Sequence, residues 1–461
     1  MERYKKLLGN SAIFALGNLG SKLISFVLVP FYTFVLSRSQ FGTVDLITSG
    51  TNFLLPVITL SIFDAVFRFT MDKHQDKKII FMNGLVISFV GCLVGILIIP
   101  VLSAFDVPMP LHIYMLLISS AILNLFSNFA RAIGKVKIFA FGGILGTLVT
   151  ASANVILLFV FRTGVEGYLN SIIIANLAVI LFFIVMTKSS IKIDFNYVNK
   201  NIIYKMLIYS LPLIPNAFSW WINTSADKYF ILLFIGPAAN GIYAVASKIP
   251  TLLNVVNQIF FQSWQISAVE EVKSEDASAF YSKIFNYFWS VQFIGIGIIL
   301  FILKPLMTII VAENYDSSWK YVPFLLIAVM YSSMSGFLGT TYTAVKRTRG
   351  IFITTIIGSI CNIMFGLIFV PVFGTQGASF AGLLSFGVVL LIRIIDTRKF
   401  IVIKTDIYNI TLNHLFIFLM IYILFTIENQ NVLQISELIV LGFVLIINYK
   451  IFKPLLRIKR K

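Results

Sequence analysis

Fourteen long apolar stretches follow one another through this chain, separated by short polar gaps. A helix of about 20 apolar residues spans the roughly 30 Å hydrocarbon core of a bilayer. The pattern predicts membrane-spanning helices near residues 9–34, 42–70, 79–104, 110–131, 138–161, 167–188, 206–235, 239–268, 285–311, 321–345, 351–373, 376–397, 408–427 and 433–452. The runs do not alternate polar and apolar residues, as strands of a membrane β-barrel do. We therefore predict an all-α integral membrane protein.

Composition supports this class. Of the 461 residues, 58% are hydrophobic and only 12% are charged, about half the charged fraction of a soluble domain. Cys92 and Cys361 both lie within predicted spans, so we expect no disulfide, no metal site and no cofactor. The gaps are too short to hold a catalytic domain, and the three histidines are scattered. We therefore expect that the protein is not an enzyme.

The basic residues divide sharply between alternate gaps. Of the 36 Lys and Arg residues, 29 fall at the N-terminus, in even-numbered gaps or in the C-terminal tail, four fall in the opposite gaps, and three lie within spans. Short cytoplasmic loops are enriched in Lys and Arg. Both termini are therefore predicted to be cytoplasmic. The net charge of +17 then faces anionic membrane lipids, which excludes nucleic acid as the expected partner.

The sequence also repeats itself after about 200 residues. Residues 39–57 resemble 238–256, which aligns Gly42 with Gly241, and residues 153–167 resemble 361–377, which aligns Asn154 with Asn362. Repeats of this kind occur in secondary transporters, whose substrate sites lie near the bilayer midplane. We predict two six-helix lobes related by a pseudo-two-fold axis along the membrane normal, followed by two additional helices. The predicted order is a first lobe at 1–188, a cytoplasmic linker at 189–205, a second lobe at 206–400, and two helices with a basic tail at 401–461.

The first two predicted spans read LGNLGSKLISFVLVPFYTFVLSRSQFGTVDLITSG, and their second-lobe copy reads ADKYFILLFIGPAANGIYAVASKI. Both resemble the polysaccharide exporters of the multidrug/oligosaccharidyl-lipid/polysaccharide (MOP) superfamily, in which a long first helix, a short turn and a glycine open the next helix. The resemblance implies a Wzx-type flippase of the bacterial cytoplasmic (inner) membrane. Such a protein moves an undecaprenyl-diphosphate-linked oligosaccharide, an O-antigen or capsular repeat unit, from the inner to the outer leaflet by alternating access. A polysaccharide polymerase is then an expected partner.

Other functions fit parts of the same pattern. A lipid II flippase also has fourteen spans and a cationic cavity, and the sequence does not separate it from a polysaccharide exporter. A drug or cation antiporter of the superfamily would typically have twelve spans and acidic residues in its cleft. A polymerase, ligase or glycosyltransferase would need a sizeable outer loop or an acidic metal site, and neither is visible in the sequence.

Three lysines lie within predicted spans, where a charge costs at least about 2.5–3.5 kcal/mol and normally faces a cavity or a partner. Lys22 and Lys248 are predicted to line a central cationic cleft and to bind the diphosphate of the cargo. Lys228 has the same candidate role, although pairing with Asp227 or snorkelling would also explain it. Trp220 and Trp221 lie within the seventh span, where they either pack or form a platform for sugar rings.

Further charges lie near the ends of the second, fourth and seventh spans. Asp64 and Arg68 are spaced i, i+4, which favours a structural ion pair, whereas the functional alternative makes Arg68 part of a cytoplasmic entrance for phosphate. Arg131 has the same two interpretations. Asp45 and Asp227 are candidate sites for a coupling H⁺ or Na⁺.

Overall fold

The computed structural model describes residues 20, 24–72, 75–188, 194–272, 274–345, 347 and 349–449, without the side chains of Gln262 and Ile266. Lys22 lies outside the described residues. The α-helices are α1 Ile24–Val35, α2 Arg38–Ile58, α3 Ile62–Thr70, α4 Lys77–Gly95, α5 Ile98–Ala104, α6 Pro110–Ala132, α7 Val136–Asn154, α8 Gly164–Thr187, α9 Lys200–Ser210, α10 Leu213–Phe234, α11 Pro237–Ala246, α12 Pro250–Glu271, α13 Ala277–Ile310, α14 Val322–Ala344, α15 Arg349–Phe373, α16 Thr375–Thr397, α17 Ile407–Thr426 and α18 Gln430–Ile447. A π-helical turn, Val155–Val160, follows α7, and 3₁₀ segments occupy Phe195–Tyr197 and Glu313–Tyr321.

The all-helical membrane class is confirmed. In the described part of the chain, eleven helices are long and apolar enough to cross a membrane. They correspond to eleven of the fourteen predicted spans; the described part of the first predicted span, Ile24–Val35, is a shorter apolar helix. The seventh and eighth predicted spans correspond to α9–α10 and α11–α12. The count of fourteen spans therefore stays a prediction.

Several predicted spans are interrupted, and the interruptions lie close to prolines. After Pro56, α2 ends in a turn in which the N–H of Ser61 donates to the carbonyl of Pro56 at 2.9 Å. Leu60 and Ser61 have φ values of 51° and 50°, a left-handed conformation that normally ends a helix with glycine. Pro250 likewise begins α12 directly after a turn at residues 247–249.

By internal packing the chain divides into two compact units, Met1–Trp221 and Ile222–Lys461. The division falls inside α10. Asn83 of α4 ties the segment before α9 to the first unit, because its side chain donates to the carbonyl of Tyr197 and accepts from the N–H of Asn199. No observation separates lobes at 189–205, so that boundary remains a prediction.

Each unit has its own apolar core. The first unit buries Ile62, Phe81, Phe129 and Phe183 in one cluster. The second unit is held by stacked aromatic rings, among which Trp264 and Phe337 lie 4.1 Å apart between centroids. Large apolar side chains elsewhere in the spans are exposed, which suits contact with lipid in place of water.

The repeat predicted from sequence is visible in two matching turns. Gly164 opens α8 with φ +60°, and Gly374 precedes α16 with φ +61°. A side chain is strained at this φ, which explains why both copies of the turn use glycine. The aligned residues Asn154 and Asn362 are also both buried, at 0% and 2% exposure.

Candidate functional site

Lys248 lies in the turn between α11 and α12, in the second unit. The turn is closed by a hydrogen bond from the Lys248 N–H to the carbonyl of Val245 at 3.0 Å. The Lys248 carbonyl accepts from both the N–H and the hydroxyl of Thr251. The side chain is half-buried. The turn that interrupts the eighth predicted span therefore carries one of the predicted cations.

Lys228 lies in the second half of α10, next to Asp227. The Asp227 carboxylate accepts hydrogen bonds from the backbone N–H of Lys228 at 3.0 Å and from the hydroxyl of Tyr243 in α11. These bonds join α10 to α11 through a half-buried carboxylate. Lys228 and Asp227 thus lie where α10 contacts α11 in the second unit.

A line of exposed polar side chains runs along α12. Thr251, Gln258 and Gln265 are all exposed and are spaced by seven residues, about two helical turns, so they lie on one face. Lys248 precedes Thr251 by three residues. A neighbouring face of α12 packs through Asn257, which donates to Ser333, and through Trp264, which donates to Thr340. The sequence analysis missed this polar line, although its spacing is readable in the sequence.

The polar content of α10 and α12 distinguishes them from the other long helices. Each has 22 residues, which is long enough to span a membrane, yet neither is among the eleven helices that are also sufficiently apolar. Polar groups within a bilayer normally face protein or water. α10 and α12 are therefore less suited to full contact with lipid than the eleven apolar helices.

The two predicted tryptophans have different surroundings in the first unit. The Trp221 indole N–H donates to the carbonyl of Ser49 at 2.8 Å, and its ring lies 4.5 Å from that of Phe53. Trp220 is 48% exposed. Trp221 therefore packs within the first unit, whereas the indole of Trp220 is half-exposed.

The ion pair expected between Asp64 and Arg68 is wrong for the described residues. Arg68 is exposed, and the electrostatic partner of Asp64 is Arg131 of α6. The Arg131 guanidinium also lies over the ring of Phe67, 4.0 Å from its centroid. The i, i+4 rule failed here because a cation from another helix approaches Asp64, which sequence spacing within α3 does not show.

Asp45 belongs to a buried polar group in the first unit. It is 7% exposed and interacts electrostatically with Tyr168, whose ring lies 5.1 Å from that of Tyr32. The hydroxyl of Tyr32 accepts from Asn154 at 2.9 Å, and Asn154 in turn accepts from Ser171 at 2.8 Å. Four helices of the first unit meet at these side chains.

Arg393 is a buried cation for which the sequence analysis predicted no role. Arg393 lies within α16 and is only 5% exposed. Its guanidinium donates to the Thr354 hydroxyl at 2.9 Å, the Ser335 carbonyl at 2.8 Å and the Thr355 hydroxyl at 3.2 Å. It therefore joins α14, α15 and α16 through neutral acceptors, an arrangement that charge counting along a sequence does not reveal.

These features define a multi-pass membrane protein with polar, cationic helices, and known structures share its fold. A structure described as the lipid II flippase MurJ in an inward closed conformation matches with a TM-score of 0.71 at 14% identity, covering 96% of this chain and 100% of that one. An inward-facing multidrug resistance MATE family transporter of the MOP superfamily matches with a TM-score of 0.63 at 14% identity, covering 88% and 95%. A MOP superfamily transporter from Pyrococcus furiosus matches with a TM-score of 0.59 at 14% identity, covering 86% of this chain and 95% of that one. The binding pocket of that transporter is described as having reverse polarity. This chain shares the fold of these three structures.

A family model described as "Polysaccharide biosynthesis protein" matches residues 7–264, more than half of the chain. The chain belongs to this family. No match was found among curated protein sequences.

Proposed function

We propose that this protein is a flippase that moves an undecaprenyl-diphosphate-linked oligosaccharide from the inner to the outer leaflet of the bacterial cytoplasmic membrane by alternating access. The observation that carries the proposal is the polar, lysine-bearing character of α10–α12 within a chain whose other long helices are apolar. Membership in a polysaccharide biosynthesis family and a transporter fold agree with it.

The chemistry of such a cargo matches these helices. A diphosphate binds well to an ammonium group in a partly dry site. Lys248 and Lys228 supply two such groups, and we propose the same role for Lys22. Sugar hydroxyls need hydrogen-bonding partners along the path, and the line of Thr251, Gln258 and Gln265 offers them. The exposed indole of Trp220 provides a face on which a sugar ring can stack.

We assign the entrance for phosphate to Arg68, because it is exposed at the end of α3. Arg131 is a weaker candidate, because its guanidinium already interacts with Asp64 and Phe67. We likewise assign Trp221 to packing, because its indole N–H already donates to the carbonyl of Ser49. In this scheme a polysaccharide polymerase uses the translocated cargo.

The alternative cargo is lipid II. It is the alternative because a structure with the same fold is described as a lipid II flippase. A drug or cation antiporter is the weakest candidate, because the intramembrane charges on α10–α12 include two lysines.

Replacement of Lys228 or Lys248 by Ala is expected to weaken cargo binding by roughly 10- to 100-fold, the equivalent of a lost charge-assisted hydrogen bond of about 1.5–3 kcal/mol. The measurement is the amount of lipid-linked oligosaccharide that accumulates in cells, together with surface polysaccharide. The exposed Lys77, replaced by Ala, is the matched control and should behave as wild type. Normal surface polysaccharide in both lysine variants, at wild-type protein levels, would contradict the proposal. Accumulated peptidoglycan precursor in place of oligosaccharide would shift it to lipid II.

We propose that Asp45 or Asp227 binds the H⁺ or Na⁺ that couples transport to an ion gradient. Asp45 is buried and interacts electrostatically with Tyr168, and the Asp227 carboxylate accepts a hydrogen bond from Tyr243. The Asp45→Asn and Asp227→Asn variants should both remain in the membrane at wild-type levels. In the same assay, transport by the variant that lacks the coupling site should no longer depend on the ion gradient. Unchanged gradient dependence in both would remove this assignment.

A further inference from the structure

Glu437 is a buried carboxyl group in the last described helix. The buried face of α18 consists of Leu433, Glu437, Val440, Leu441 and Val444. This face packs against α13 and α17, and Leu441 and Val444 lie close to Gly297 of α13. Glu437 is 1% exposed, and within the described part of the chain neither of its carboxyl oxygens has a hydrogen-bond partner.

Lys304 of α13 is the cation that interacts electrostatically with Glu437. Its ammonium group is held elsewhere: it lies 3.5 Å from the carbonyl oxygen of Ile427, at the end of α17, and 4.7 Å from the ring centroid of Trp319. Asp316, Glu428 and Lys320 also interact with Lys304, so further charges surround its ammonium group. Among the described residues the Lys304 ammonium and the Glu437 carboxylate do not form an ion pair.

Among the described residues, α17 also supplies no hydrogen-bond partner to the Glu437 carboxyl group. On α17 the half-buried titratable group is His414, whose ring nitrogens contact the Tyr331 hydroxyl at 3.1 Å and the Ile410 carbonyl at 2.8 Å. An ionised carboxylate in an apolar helix contact, with neither hydrogen bond nor ion pair, is very costly. The group must therefore carry a proton, or Lys304 must move to it.

We propose that Glu437 is a proton-binding site in the contact between α13 and α18, and that the Lys304 ammonium replaces the proton when Glu437 ionises. Leu441 of α18 lies against Gly297 of α13, and the two helices are antiparallel. Glu437 lies one helical turn from Leu441, and Lys304 lies two turns from Gly297 in the same direction along the pair. The long lysine side chain spans the remaining turn. Moving it releases the carbonyl of Ile427 and the ring of Trp319, which loosens the connection between α17 and α18. The proposal does not depend on the cargo.

Infrared difference spectroscopy of the purified full-length protein in phospholipid vesicles, titrated with pH, tests this site. The wild type should show the carbonyl stretch of a protonated carboxyl group at a pH where exposed carboxylates are ionised. Glu437→Gln should remove this band, and Glu428→Gln, at an exposed glutamate in the connection between α17 and α18, should retain it. Glu437→Asp keeps the carboxyl group and should retain a band at shifted frequency, which controls for misfolding of the Gln variant.

The second variant concerns the cation. Lys304→Met should raise the midpoint of this titration by about 1–3 pH units, because an opposite charge nearby favours the ionised carboxylate. A carboxyl band that survives in Glu437→Gln would overturn the proposal, and so would a midpoint that does not move in Lys304→Met.

Discussion

Buried and half-buried charges in this protein are stabilised by very different partners. Arg393 is bonded only to hydroxyl and carbonyl oxygens, whereas Arg131 faces both a carboxylate and an aromatic ring. Asp227 is held by a tyrosine hydroxyl. A residue type within a span therefore does not indicate its role, because the cost of burial is offset by whichever polar groups the neighbouring helices provide.

Gly91 shows how one residue controls a close helix contact. A Cβ atom at Gly91 of α4 would lie 2.0 Å from the carbonyl oxygen of Ile58, at the end of α2. Gly91→Ala is therefore expected to destabilise the protein by about 1–3 kcal/mol through overpacking. The measurement is the thermal unfolding midpoint in detergent.

Gly442 is the matched control for this prediction, because no atom lies within 4 Å of its ideal Cβ position. Gly442→Ala should raise stability by roughly 0.5–1 kcal/mol, since alanine loses less conformational freedom in a helix than glycine. Equal effects of the two substitutions would show that Gly91 is not at a tight contact.

At the scale of helices, hydropathy located the spans well but did not show where they break. The predicted span 408–427 agrees closely with α17, Ile407–Thr426. The predicted span 42–70 is instead two helices, because the chain turns at Leu60 and Ser61 in a conformation that non-glycine residues rarely adopt. Such a turn is stabilised by surrounding packing, which a one-dimensional pattern does not contain.

The pair α17–α18 is joined by reciprocal amide hydrogen bonds. Asn448 donates to Asn413 at 2.7 Å, Asn413 donates back at 3.4 Å, and both side chains are buried. Interhelical hydrogen bonds in membrane proteins contribute on average about 0.6 kcal/mol and at most about 1.7 kcal/mol. A double-mutant cycle with Asn413→Leu and Asn448→Leu, measured as unfolding free energies, should give a coupling energy in this range. Strictly additive effects would mean that the two amides stabilise their helices independently.

For the whole molecule, the division of Lys and Arg between gaps predicts one membrane orientation. Ser39, before the second span, should face the outside, and Ser274, before α13, should face the cytoplasm. Both are exposed, so each can be replaced by Cys in a background with Cys92 and Cys361 changed to Ala. A membrane-impermeant maleimide should label Ser39→Cys in intact cells and Ser274→Cys only after permeabilisation. The reverse labelling pattern would invert the topology.

The sequence alone determined the class, the membrane spans that are strongly apolar and the resemblance to polysaccharide exporters, because hydropathy and turn chemistry are local properties of the chain. It also located Lys228 on α10 and Lys248 just before α12, two helices that are less apolar than the eleven candidate spans. Only the tertiary structure showed that Asp64 faces Arg131, that Arg393 is buried, and that Glu437 lies near Lys304. Each of these depends on residues far apart in sequence, since the partner of a buried charge is set by how helices pack and not by its neighbours along the chain.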